Sequence, residues 1–168
     1  MRLLFRALLV GLAGVALAAP AAPIEGPRPD DQIAPKSVEL QRQGEGLLSA
    51  GKLEQAEDVL ETALAVDPRN RWAFVDLARV AEHQHLFGKA IRMANKALLL
   101  EPNDPDAIAV QGEAMVELGA TARAQANLQK LQTICAPKGC PQIAQLSAAI
   151  TRGPTVAAAK VPPSPKSN

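Results

Sequence analysis

Apolar residues recur along the middle of this chain with the three-and-four spacing of helices buried on one side. Leu40, Leu47 and Leu48 mark the first stripe, and Leu53, Ala56, Leu60, Ala63 and Leu64 the second, with Gly51 between them. The pattern predicts a helix from about Lys36 to Ala50 and another from about Leu53 to Val66, joined tightly enough to run antiparallel. A second pair follows. Asn70 can cap a helix reaching about His83 with Phe74, Leu77 and Ala81 inward, and Phe87 to Leu100 carries Phe87, Ala90, Ala94, Ala97 and Leu98 on one face. Asn103 is placed to cap a third pair, Asp104 to Leu118 and Thr121 to Ile134, broken at Gly119. After Pro141, the apolar positions Ile143, Leu146 and Ile150 predict one further helix, over about 141–151.

The three pairs are copies of one another. Ala56, Ala90 and Ala124 lie 34 residues apart, as do Gly44, Ala78 and Gly112, and Pro68 and Pro102. A hairpin alone cannot bury its own apolar face, so three copies in succession predict a stack with one continuous core. The small residues fit the place where the two helices of a hairpin cross most closely, since a larger side chain there forces them apart. The prolines end each second helix and start the turn to the next unit.

These residues resemble the tetratricopeptide repeat, whose degenerate pattern has a large position (Leu40, Phe74, Ile108), a small one at the crossing (Gly44, Ala78, Gly112) and a small one opposite (Ala56, Ala90, Ala124). The remaining signature positions read Leu60, Ala94 and Leu128, then Ala63, Ala97 and Leu131. The resemblance covers units at about 37–70, 71–104 and 105–136. It implies an all-α, right-handed solenoid of three antiparallel hairpins, closed by the 141–151 helix as a cap. The third unit departs from the pattern, with Ala136 at the final position and Pro137 one residue late, as befits the end of a stack. His85 stands where the other units have Gly51 and Gly119, which predicts a turn that is either strained or differently shaped.

Composition agrees with close-packed helices: one Trp, three Phe and no Tyr among 168 residues dominated by Ala and Leu. It also separates the ends from the middle. Met1 to Ala18 holds Arg2 and Arg6, then an apolar run from Ala7 closing in Ala16-Leu17-Ala18, which is the form of a signal peptide cleaved after Ala18 or, as the alternative, Ala21. The run is well short of the roughly 20 residues that cross a bilayer, so no stable membrane insertion is expected after cleavage. Residues 19–35 and 153–168 are rich in Pro and poor in apolar periodicity, and are expected to be a disordered lead-in and tail. The bacterial periplasm is the expected location. Without Arg2 and Arg6 the 18 basic side chains fall to 16 against 17 acidic ones, a balance that gives no electrostatic case for nucleic acid.

Candidate chemistry is sparse. His83 and His85 have no Ser or Cys placed to pair with them, and the carboxylates fall on helical faces read as solvated, so an enzyme is not expected and no cofactor or metal is implied. Cys135 and Cys140, five apart, are expected to form a disulfide in an exported chain, as exported repeat proteins of similar appearance carry at their ends. The alternative is a thiol-disulfide or metal-handling accessory using this pair, although the spacing differs from Cys-x-x-Cys. Acidic Glu54, Glu57, Asp58 and Glu61 on one second helix and basic Lys89, Arg92 and Lys96 on the next predict exposed pairs between units.

The family resemblance further implies that the first helices line a concave groove receiving a peptide segment of another protein, here one of the cell envelope. Carried over by position, the groove set is Gln41, Glu45, Trp72, Val75, Arg79, Glu82, Glu113 and Glu117, with Val38, Leu48, His83, Ala109 and Val116 alongside. Trp72 is either an exposed anchor for the partner or packed near Leu64 or on the lead-in.

Overall fold

A computed structural model describes residues 32–155, and the signal and most of the lead-in and tail named above lie outside the described residues. Seven helices succeed one another: α1 (Pro35–Ser49), α2 (Leu53–Val66), α3 (Arg71–His83), α4 (Phe87–Leu100), α5 (Pro105–Glu117), α6 (Thr121–Ile134) and α7 (Pro141–Arg152). Each odd helix packs antiparallel on the even one that follows, each even helix packs on the next odd one, and α1, α3, α5 and α7 contact in series along one side. This is the all-α solenoid that the repeat predicts. Helix bounds agree with the apolar periodicity to within a residue or so at each end.

The turns inside the hairpins share one geometry. Gly51, His85 and Gly119 take φ of 71°, 58° and 76°. The amides that follow them, of Lys52, Leu86 and Ala120, donate back to the carbonyls of Leu47, Ala81 and Met115 at 2.8–2.9 Å. That pattern satisfies the last carbonyls of each first helix and requires a left-handed residue. His85 meets the requirement against its side-chain sterics, with its ring edge-on to Phe87 at 5.9 Å between centroids.

Between units, each new hairpin is tied to the one before by its own cap. Asn70 accepts from the Ala73 amide and donates to Ser37 Oγ at 2.9 Å, while Ser37 donates to the Ala63 carbonyl at 2.7 Å and Asp67 accepts from the Ala34 amide at 2.8 Å. One repeat later the cap is Asp104, not the predicted Asn103: its side chain accepts from the Ala107 amide at 3.0 Å and pairs with Arg71. The reason is Pro105. It occupies the first helical position, where its missing donor costs nothing, and so fixes the residue before it as the cap.

The core is narrow. Ala56, Ala63, Ala78, Ala81, Ala90, Ala94 and Ala97 are all fully buried. A Cβ added at Gly44 would lie 2.5 Å from Leu60 Cγ, which accounts for a glycine where α1 crosses α2. At Gly112 the crowding comes from elsewhere: the added Cβ would meet Leu146 Cδ1 of α7 at 2.7 Å. Leu146 stands one repeat after Gly112. Thus α7 takes the place of a fourth first helix, and with no helix following it within the described residues its register position carries a large side chain.

Cys135 and Cys140 are bonded to each other across the turn between α6 and α7, with Cα atoms 5.6 Å apart. The predicted charge stripes meet at one place, where Lys89 pairs with Glu57 and Gln84 donates to the same carboxylate. That pair is three-quarters buried, not exposed as predicted, because α3 packs on both α2 and α4 and Gln84 at its end closes over the same carboxylate. Lys96 instead stands over the Phe74 ring at 5.5 Å.

Two alanine substitutions separate close approach from helix propensity. Gly46 has nothing within 4 Å of an added Cβ, so Gly46→Ala is expected to stabilise by about 0.5–1 kcal/mol. Gly44→Ala is expected to destabilise by about 1–3 kcal/mol despite the same gain, because buried Leu60 must move. Urea unfolding midpoints of the two variants check this.

Candidate peptide groove

The side formed by the odd helices divides into two chambers. The first, a cavity of about 400 Å³, lies between α1 and α3 and reaches the start of α5. Of the predicted groove residues it brings together Gln41, Glu45, Trp72, Val75 and Arg79. Val75 forms floor more than wall, being 2% exposed. Trp72 sits at the first turn of α3, 44% exposed, with the Arg71 guanidinium 4.2 Å from its ring centroid. Its one described ring contact is therefore a cation–π stack from its neighbour.

The floor of this chamber is a run of polar contacts crossing four helices. Gln41 donates to Asp76 Oδ2 at 2.6 Å, and Arg79 donates to Asp76 Oδ1 at 3.0 Å and to Asp106 Oδ1 at 2.6 Å. Gln142 of α7 completes it, donating to Asp106 Oδ1 at 3.1 Å. Asp76 is 2% exposed, and burial raises its carboxyl above the usual range against the opposing pull of Gln41 and Arg79.

The second chamber, about 440 Å³, lies toward α7 and is lined by Glu82, Glu113 and Glu117 together with His83, His85, Phe87, Arg152 and Thr155. Thr155 donates through both its amide and its hydroxyl to Glu117 Oε2 at 2.8 Å. Burial, then the neighbouring Glu113 carboxylate, pushes Glu82 up to about 9 despite Arg79. Burial raises Glu113 as well, against a hydrogen bond from Gln145 and the charges of Arg152 and Arg79. Its Oε1 is buried and has no hydrogen-bond partner.

The eight predicted groove residues thus fall into two groups, with Glu82, Glu113 and Glu117 apart from the rest. Three companions face elsewhere. Leu48 packs into the core against α2, and Ala109 and Val116 are each 1% exposed, because α5 is covered by neighbours on several sides. Arg42, Asp76, Asp106 and Arg152 line the chambers without having been singled out. Asp76 did carry a signal: it stands between groove-facing Val75 and inward Leu77 and so lies off the solvated face.

Among the described residues no set of three or more His, Cys, Asp or Glu could hold a metal ion, neither cysteine is free, and no helix is long and apolar enough to cross a membrane.

The shift at Glu82 gives a signed pH dependence. A carboxyl held at about 9 in the fold binds its proton more tightly there than in the unfolded chain, so the contribution of Glu82 to stability is full below about pH 4.5 and is lost as pH rises toward 9. Asp67, held down to about 2 chiefly by Arg69, acts in the opposite sense and only below that window. Glu82→Gln cannot titrate. It is expected to make the decline in chemical-denaturation stability from pH 5 to 9 shallower and to leave the variant more stable than the parent at pH 8.

Residues 47–113 match a tetratricopeptide repeat family. The cellulose synthase 2 operon protein C of Komagataeibacter xylinus is 38% identical over 71 residues, an alignment spanning 42% of this chain and 5% of that protein. Similar solved structures include the Sgt2 TPR domain from Aspergillus fumigatus, at 20% identity and TM-score 0.66, covering 85% of this chain and 95% of that one. The second TPR domain of human RPAP3, solved with the HSP70 peptide SGPTIEEVD, aligns at 21% identity and TM-score 0.60 over 68% of this chain and 94% of its own. Residues 47–113 are thus similar to the tetratricopeptide repeat family, and the hairpins on either side continue the same fold.

Proposed function

We propose that this chain is an exported interaction module that holds an extended segment of another cell-envelope protein along the side formed by α1, α3 and α5, and that it binds without catalysing a reaction. The observation that carries the reading is Trp72, half exposed at the rim of a chamber whose polar floor is already internally paired. Such a floor needs no ligand to be stable, yet offers a preformed surface beside an aromatic anchor. The human RPAP3 domain, similar in fold, holds a peptide of another protein, which supports the same use here.

Export is supported by the basic and then apolar start of the chain and by the Cys135–Cys140 bond, which persists in oxidising compartments. The periplasm is the location we assign on that basis.

A photo-crosslinking residue placed at Trp72 and at Glu113 in living cells is expected to capture one and the same envelope protein from both positions. Failure to capture any specific protein at either position overturns the reading. Amino-terminal sequencing of the protein from the periplasmic fraction is expected to begin at Ala19 or Ala22, and recovery of an intact Met1 start in the cytoplasm contradicts export.

A further inference from the structure

We infer that the groove has an occupant within this chain: residues 156–168, which continue from Thr155, dock along the side formed by α5 and α3 and compete there with the partner segment. The competition rests on the groove reading above, whereas the docking itself does not. What carries the inference is the path of the chain where α7 ends. Arg152, the last residue of that helix, already lines the second chamber. Gly153 then takes φ of 72° while its amide closes the helix on the Ala149 carbonyl at 3.0 Å, and Pro154 cannot extend it. Thr155 arrives in the second chamber, where its amide and its hydroxyl both donate to Glu117 of α5 at 2.8 Å. A contact made through the amide fixes the main chain and not a side chain alone, so the residues that follow set out from within the groove.

Reach and composition agree with that start. Trp72 stands ten residues before Glu82 on α3, roughly 15 Å along the helix axis, and packed helices lie roughly 8–10 Å apart. Pro162 is seven residues beyond Thr155, a reach of up to roughly 23 Å, which is enough to pass from Glu117 to the first chamber. Pro162 and Pro165 have the P-x-x-P spacing that seats on exposed aromatic rings, and the ring at that chamber is Trp72, 44% exposed. The segment carries Lys160 and Lys166 and no acidic side chain, while six carboxyl side chains and three arginines line the two chambers. Its charge is therefore complementary to the surface it crosses.

The test uses the indole of Trp72, the single tryptophan of the chain, as reporter. In the protein as isolated from cells, isotope-labelled and carrying a nitroxide on Ser164→Cys, the Trp72 indole N–H resonance is expected to be broadened severalfold and to recover when ascorbate reduces the nitroxide. Thr155→Pro removes both donors at an exposed position outside the helices, and is expected to restore most of the signal while its circular dichroism matches the parent. A photo-crosslinker at Glu113 is expected to capture its envelope protein severalfold more from the Thr155→Pro chain than from the parent.

An indole signal insensitive to the nitroxide, or broadened equally in the parent and in Thr155→Pro, overturns the inference. Broadening passed from a spin-labelled chain to a separate isotope-labelled one makes the occupant a second copy and overturns it likewise. Equal capture from both chains overturns the competition. If the indole reports docking and no envelope protein is captured from either chain, the partner reading falls and the docking of 156–168 stands.

Discussion

The architecture depends on how closely its helices can approach. Gly44 leaves no space between α1 and Leu60, and an unbroken series of fully buried alanines repeats the condition through α2, α3 and α4. Side chains of one carbon or none bring helix backbones together, and packing at interior density leaves little latitude for them to shift. With the odd helices in contact in series along one side, that approach fixes the surface on which both chambers open. The groove follows from tight packing, and its half-exposed residues such as Trp72 lie outside the buried core.

The polar contacts divide into two kinds by what they do. Asn70, Ser37, Asp67 and Asp104 join one hairpin to the next through helix caps, so that the start of each unit and the end of its predecessor are ordered together. The run from Gln41 through Asp76, Arg79 and Asp106 to Gln142 instead crosses the odd helices and holds their spacing from the groove side. Buried charges satisfied in this way favour one arrangement over near alternatives, because any slip leaves Asp76 unpaired in a position that water barely reaches.

Most of the fold was legible because it repeats. Period, apolar stripe and small crossing residues agree with one another, and each hairpin turn falls where Gly51, His85 or Gly119 stands. The cap at Asp104 was misplaced by one residue because Asn103 and Asp104 are both good caps, and the decision belongs to Pro105. The site was less legible for a different reason. Whether a charged residue is solvated or paired depends on the helix one unit away, and stripe analysis treats each helix alone. Glu57 and Lys89 were seen as opposite charges but not as a covered pair, and Asp76 and Asp106 were lost among acidic faces.

The end of the stack has a consequence for how such a chain could lengthen. α7 sits where the first helix of another unit would sit, and Leu146 fills the slot against Gly112 that a small residue would otherwise hold open. The linkage of Cys135 to Cys140 fixes the turn leading into it. Duplication of a whole unit between α2 and α5 would therefore be accommodated, since both new faces would meet faces of their own kind. Appending a unit directly after α6 would have to displace a seated leucine, a cost that a unit inserted between the earlier hairpins would not meet.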